Sequence, residues 1–274
     1  MVNLEKVEEF WNNNPVHTQE ISSLKSLKSF SDKCDLLRWD NYDIFKETNF
    51  YEVLVGEDYR ILDAGCGTGV CTRYYSRKGL DVHAIDLSSK SVEITQKILE
   101  LNNLQATVQK ASIEEIPYPN NFFDSIVSSG VIHHTENITK AIDEIYRVLK
   151  PGGHAFVSVY YNHPFFRNSF LWYLTRKLII YFTKNEYGRS NLNTIKSPED
   201  LSRIYDGNNC PISNIYTKKQ LQKIFSKFKI LVIEPHYFPI RYIRFIPIKP
   251  GGFLHRIADN YFGTSLYCLL KKPF

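Results

Sequence analysis

The sequence predicts an α/β fold built on a mostly parallel sheet. Short β-type runs alternate with helical patterns from residue 60 to 160, and strands separated by helices of that length form βαβ units. The first of these runs ends in a glycine turn, "ILDAGCGTG" (61–69), at the place where open α/β sheets bind ligands. After residue 161 the alternation breaks, so the remaining chain reads as insertions and closing strands. A length of 274 residues can bury a full core as one large domain with insertions.

The strand candidates are "RILDAG" (60–65), "DVHAID" (81–86), "ATVQKA" (106–111), "FDSIVSSG" (123–130) and "HAFVSVYY" (154–161). Between the last two lies "NITKAIDEIYRVLK", with Ile138, Ala141, Ile142, Ile145, Val148 and Leu149 on one helical face. Pro151-Gly152-Gly153 must stop that helix, because proline disfavours helical geometry before it and glycine tolerates the exit turn. "HPFFRNSFLWYLTRKLIIYF" (163–182) is apolar around nearly its whole circumference, interrupted by Arg167, Arg176 and Lys177. It is too charged to span a bilayer and reads as a buried or lid helix, or as a membrane-surface helix. "TKKQLQKIFSKF" gives an amphipathic helix with Thr217 as N-cap, and "KILVIEP" and "SLYCLLKK" give two further strands.

Charge is unevenly spread. Residues 1–159 hold 16 Lys+Arg against 23 Asp+Glu, while residues 160–274 hold 18 against 6; the aromatics follow, 16 and then 23. A basic, aromatic C-terminal part suits an anionic or ring-bearing ligand, or a membrane surface. The N-terminal stretch lacks a signal-type apolar region, so a cytoplasmic protein is expected. Five scattered cysteines with no C-x-x-C pair argue against a zinc ribbon or a disulfide framework, and no metal is expected.

The glycine turn excludes phosphate sites. A dinucleotide fingerprint needs a third glycine at position 70, which is Val70, and no Gly-Lys-Ser/Thr follows for a P-loop. Asp63, just before the turn, would repel a pyrophosphate but suits a cationic amine. Asp86, ending the next strand, can accept hydrogen bonds from both hydroxyls of a ribose. A ribose without phosphate, joined to a cationic amine, describes S-adenosylmethionine.

On these residues the chain resembles the class I S-adenosylmethionine-dependent methyltransferases, particularly the group related to quinone-biosynthesis methyltransferases. "ILDAGCGTG" is similar to their first motif and "HAIDLS" to their acidic ribose motif. The block from "IEEIPYPNNFFDSIVSSGVIHHTENITKAIDEIYRVLKPGG" through the fifth strand is similar to their central region. The likeness covers roughly residues 55–162. "FWNNNP", "CPISNIYTKKQL" and "PHYFP" resemble a stand-alone, small-molecule branch.

The resemblance implies a Rossmann-like class I fold, seven strands with the last antiparallel. It also implies four regions: an N-terminal helical cover (1–50), a cofactor-binding core (51–161), a lid insertion (162–215), and C-terminal strands (216–274) with an insertion at 236–262. It carries roles onto matching residues: Gly65 and Gly67 for close approach to the methionyl part with Cys66 between them, Asp63 for its amino group, Asp86 with Leu87 for the ribose, and Ser129-Gly130 beside the sulfonium. Ser112, with the backbone of Ile113, stands where the family usually has an aspartate for the adenine amino group. S-adenosylhomocysteine would be the product.

Methyl transfer from a sulfonium needs a general base only when the acceptor must lose a proton. His133 and His134, just after the fourth strand, and His236 in "PHYFP" are the candidates. Tyr161, Asn162 and His163 are candidates for the acceptor pocket, Trp11 and His17 for a cover over the cofactor, and Arg241 and Arg244 for an anionic acceptor. The Asp/Asn/Ser-Pro-Pro-aromatic motif of amino-methylating DNA enzymes is absent at "SSGVIHH", so no specific nucleic acid is expected, and Cys210-Pro211 reads as a loop. The expected reaction is methylation of a small acceptor at oxygen or nitrogen. Its rivals are a C-methyltransferase of a quinone or lipid and a module that binds the cofactor without turnover.

Overall fold

A computed structural model describes residues 4–16, 26–39, 50–182, 194–207, 210–237 and 252–274. His17, Arg241 and Arg244 lie outside the described residues. Strands β1 (Arg60–Ala64), β2 (Asp81–Asp86), β3 (Thr107–Lys110), β4 (Phe123–Ser129), β5 (Leu149–Tyr161), β6 (Ile215–Tyr216), β7 (Lys229–His236) and β8 (Ser265–Lys271) form one sheet. Its order is β3-β2-β1-β4-β5-β8-β7. All pairings are parallel except those of β8, which runs antiparallel to both β5 and β7. The two-residue β6, not anticipated from sequence, pairs with Tyr160 and Tyr161 of β5, beyond the point where β4 ends.

Both faces of the sheet are covered, which is why its central strands read as apolar runs rather than alternating ones. Neighbours in β1 show the division, since successive side chains point to opposite faces. Leu62 packs with Ile126, Ala155 and Ile145 on one side, whereas Ile61 packs with Val127, Phe156 and Tyr75 on the other.

The helices are α1 (Leu4–Asn13), α2 (Leu27–Trp39), α3 (Val70–Ser76), α4 (Ser89–Leu101), α5 (Ile138–Val148), α6 (Pro164–Arg167), α7 (Ser169–Phe182), α8 (Pro198–Asp206), α9 (Lys218–Ile224) and α10 (Phe253–Phe262). The Asn137 side chain caps α5 by accepting from the Lys140 N–H. The buried face is Ala141, Ile142, Ile145 and Val148, and each large side chain there contributes about 2 kcal/mol. Thr217 caps α9 in a reciprocal capping box with Gln220. The 163–182 stretch departs from one expectation: no described residue of α6 or α7 is buried. No helix among the described residues is long and apolar enough to cross a membrane.

Candidate cofactor and acceptor site

The site lies beyond the C-terminal ends of β1, β2 and β4, where three loops converge on a cleft. At the first loop, Gly65 has φ +91°, and a Cβ there would sit 2.3 Å from a Val131 methyl. Only glycine lets this loop press against the one after β4. The Gly65 and Cys66 amides both donate to Ile85 O, pinning the turn to β2. The Gly67 amide donates to Asp86 Oδ2 at 2.8 Å. That amide is thereby spent on a carboxylate inside the protein, where a dinucleotide site would offer it to a phosphate.

Asp86 is held from both sides, since its Oδ1 accepts from the Ser88 amide at 2.8 Å. Burial pushes its pKa above the usual carboxylate value, and the two amides oppose that shift. Each oxygen keeps a second lone pair for a ligand hydroxyl, and Asp86 and Leu87 both line the cleft. Asp63 is buried at the other end, where its Oδ2 accepts from Thr72 Oγ1 at 2.6 Å. It lines the adjoining part of the cleft together with Gly65, Cys66, Gly67 and Ser129.

At the third loop Ser158 Oγ accepts from the Gly130 amide at 2.9 Å and lies 3.2 Å from Ser129 Oγ. Gly130 has φ +77° and faces open space. Ser112 and Ile113 line the cleft beside Glu114. The Ser112 hydroxyl oxygen accepts from the Glu114 amide, and Glu114, itself buried, accepts from the Asn137 amide. The ten cofactor-binding candidates therefore line two adjoining pockets that share Gly65, Gly67 and Ser129.

Helix α1 closes it, with Leu4, Val7 and Trp11 in the lining. Asn12 Oδ1 fastens this helix to the start of α4 by accepting from Ser88 Oγ at 2.9 Å and from the Lys90 amide at 3.2 Å. At its other edge Trp11 packs edge-on against His134, ring centroids 5.0 Å apart. Trp11 was legible in the sequence as a cover, whereas Leu4, Val7 and Glu114 were missed. The signal for the first two is the i, i+3, i+7 spacing of Leu4, Val7 and Trp11, which puts one apolar stripe on one face.

The three catalytic candidates separate. His134 lines the cleft, in the short turn Ile132–His134. Its Nδ1 lies 2.7 Å from Ile212 O, the geometry of a donated hydrogen bond, and its Nε2 lies 3.7 Å from Asp206 Oδ2. Asp206, at the end of α8, accepts from Tyr160 Oη at 2.5 Å and Ser213 Oγ at 3.0 Å. His134, Asp206 and Cys210 bring their polar atoms within 4.8 Å of one another. The Cys210 thiol also donates to Ile212 O, and burial pushes its pKa far up, which disfavours the thiolate.

His133 does not meet the expectation of a base at the mouth of the site. It is buried, both ring nitrogens lack a partner among the described residues, and it is wedged between His134 and Tyr160 at centroid distances of 4.1 and 4.3 Å. Burial, and then the neighbouring His134, drive its pKa well below the ordinary imidazole value. His236 is also placed elsewhere. It sits at the end of β7, three strands from β4 and roughly 14 Å away by strand spacing. There it packs against Phe50 and Tyr267, with Nδ1 2.8 Å from Asp259 Oδ2 of α10. Its role in the structure is to dock α10. Tyr161 ends β5 and His163 follows it, both buried; His163 Nε2 donates to Tyr261 O, and neither residue lines the cleft.

Residues 62–157 match the family model described as a methyltransferase domain. The malonyl-[acyl-carrier protein] O-methyltransferase of Enterobacter lignolyticus is 38% identical over 96 residues, 34% of this chain and 36% of that one. The mitochondrial ubiquinone biosynthesis O-methyltransferase of Dictyostelium discoideum is 28% identical over 199 residues, covering 66% of this chain and 58% of its own length. A ubiquinone/menaquinone biosynthesis C-methyltransferase of Pectobacterium carotovorum is 30% identical over 128 residues, 45% and 51% of the two chains. The chain thus spans between about a third and three fifths of the length of these relatives.

Among solved structures, an S-adenosylmethionine-dependent methyltransferase of Methanosarcina mazei aligns with a TM-score of 0.56 at 18% identity, covering 82% of this chain and 97% of the other. One from Aquifex aeolicus aligns with a TM-score of 0.52 at 14% identity, covering 99% of each. These likenesses share the fold. The domain match places a methyltransferase domain at residues 62–157, which span β1 to β5 of this sheet.

Proposed function

We propose that the chain transfers a methyl group from S-adenosylmethionine to an oxygen or nitrogen of a small organic acceptor. The observation that carries this reading is a pair of adjoining pockets around the glycine turn, one lined by the buried Asp63 and the other by the half-buried Asp86, with the Gly67 amide turned onto Asp86 rather than left for a phosphate. That donor set fits an ammonium and a ribose diol. Asp63 would hold the amino group, Asp86 the ribose hydroxyls, Ile113 and α1 the faces of the adenine ring, and the Ser129-Gly130 loop the region of the sulfur.

The bound cofactor would supply a methyl group on a positively charged sulfur, ready for in-line displacement. The chain supplies position and dryness. Holding the reacting atoms collinear is worth up to about 7–11 kcal/mol, and α1 sets the apolar side chains of Leu4, Val7 and Trp11 along the cleft. Where the acceptor must lose a proton, His134 takes it at Nε2. Nδ1 is fixed as donor by Ile212 O, so the lone pair of the neutral ring is on Nε2, and Asp206 stands 3.7 Å away to face the cation that forms. In this reading residues 1–50 act as the cover and residues 162–215, which contribute Asp206, as the acceptor-side insertion.

A second reading, C-methylation of a lipophilic quinone-like acceptor, is favoured by the apolar side chains that α7 and α10 turn outward. Both are tested by incubating the purified chain with S-adenosylmethionine carrying a deuterated methyl group and a panel of phenols, carboxylates, amines and quinols. Mass spectrometry should find the label on oxygen or nitrogen. Label on carbon would replace the first reading by the second. Cofactor binding with no label transferred to any class would reduce the protein to a binding module.

A further inference from the structure

Helices α6, α7 and α10 form an apolar, cationic surface none of whose residues lines the cofactor cleft. Of the fifteen large hydrophobic residues exposed in the described part of the chain, nine lie on α7 and α10. On α7 they are Phe170, Tyr173, Leu174 and Leu178, at i, i+3, i+4 and i+8, a single helical face turned to solvent.

Helix α10 is amphipathic in the inverted sense. Two of its polar residues, His255 and Asp259, are buried, the latter on His236, while Phe253 and Tyr261 are 77% and 68% exposed and Leu254 and Ile257 are exposed beside them, together with Arg256 and Asn260. The two helices are continuous through α6. Phe165 stacks on Phe262 of α10 at 5.5 Å, and Phe166 meets Trp172 of α7 edge-on at 5.5 Å. Apolar side chains at this density on an outer face mark a docking surface.

The charges select the occupant. The sequences of α6 and α7 contain no Asp or Glu, and the one carboxylate of α10, Asp259, faces inward. Arg167, Lys177 and Arg256 are exposed on the same three helices, with Lys177 Nζ lying 4.6 Å over the Tyr173 ring. A second copy of the chain would bring like charges together across such a face, at a cost. An anionic bilayer surface satisfies both features, accepting aromatic and aliphatic side chains at the headgroup boundary while its phosphates meet the cations.

We propose that α6, α7 and α10 form a platform that docks the protein on membranes containing anionic phospholipid, without crossing them. The test is sedimentation of the full chain with phosphatidylcholine vesicles, with and without phosphatidylglycerol, at low and high salt. The protein should pellet with the anionic vesicles at low salt and be released by high salt. The double variant Leu178→Glu/Phe253→Glu should lower its partition by roughly tenfold or more, with thermal midpoint and cofactor affinity unchanged. Failure of the parent protein to sediment with anionic vesicles at low salt would overturn the proposal. So would binding that the double variant leaves unmoved, or a dimer in analytical ultracentrifugation that the double variant dissolves, since that would make a second copy the occupant.

Discussion

His134→Ala is expected to lower turnover by about a hundredfold or more while changing cofactor affinity only about twofold. His134 lines the cleft, and its ring is fixed at one end by Ile212 O and faced at the other by Asp206. On the proposed reading, with an acceptor that must lose a proton, removing the ring takes away the proton acceptor of the transition state, so the loss falls on kcat. Loss of the edge-on contact with Trp11 is what reaches the cofactor side. Asp206→Asn should act in the same direction and more weakly, because it removes the charge that faces the imidazolium and leaves the base in place. His133→Ala should spare turnover, since both ring nitrogens of that residue are enclosed away from the cleft. Stopped assays with the labelled cofactor give these values. Unimpaired turnover in His134→Ala would retire the base.

Asp35→Ala is expected to cost about 3–5 kcal/mol of stability, a fall of roughly 6–20 °C in the melting midpoint. Arg73, in the first helix after the glycine turn, is fully buried. One arm donates to Thr68 O at 2.7 Å and the other to Asp35 on α2. Without Asp35 a guanidinium stays in the interior with its counter-charge gone, which is the expensive way to break a buried pair. Arg77 shares the same carboxylate at 2.9 Å, so two cations lose their partner at once. The double variant Asp35→Leu/Arg73→Leu should recover most of the loss, because apolar replacement of both partners removes the stranded charge. Urea titration measures both. A cost below about 1 kcal/mol for Asp35→Ala would mean that solvent reaches Arg73 once the carboxylate is gone.

The strands, the α5 helix and the glycine turn were legible because each is written locally. Period-2 and period-3.6 patterns, Thr217 as a cap, and Pro151 as a stop need only neighbours in sequence. Asp63 and Asp86 were legible because strand ends fix where they emerge. What stayed hidden depends on which distant surface a side chain meets. Nothing adjacent to His133 in sequence says that Tyr160 will enclose it, or that Asp206, 72 residues further on than His134, will return to face that ring. His236 looked free in "PHYFP" because its partner Asp259 arrives from another helix. The 163–182 stretch was equally ambiguous. An all-round apolar pattern is consistent with burial, and only packing reveals that the face of Phe170, Leu174 and Leu178 is left outward.

The central claim, that the cleft holds S-adenosylmethionine through Asp63 and Asp86, is tested most directly by calorimetric titration. The purified chain and its Asp86→Ala variant would each be titrated with S-adenosylmethionine, with NAD as control. Saturable binding of S-adenosylmethionine but not NAD is the predicted result, with affinity falling about tenfold to a hundredfold in the variant as the charged hydrogen bonds to the ribose are lost. Binding of NAD in place of S-adenosylmethionine, or equal affinity in the two proteins, would contradict the assignment.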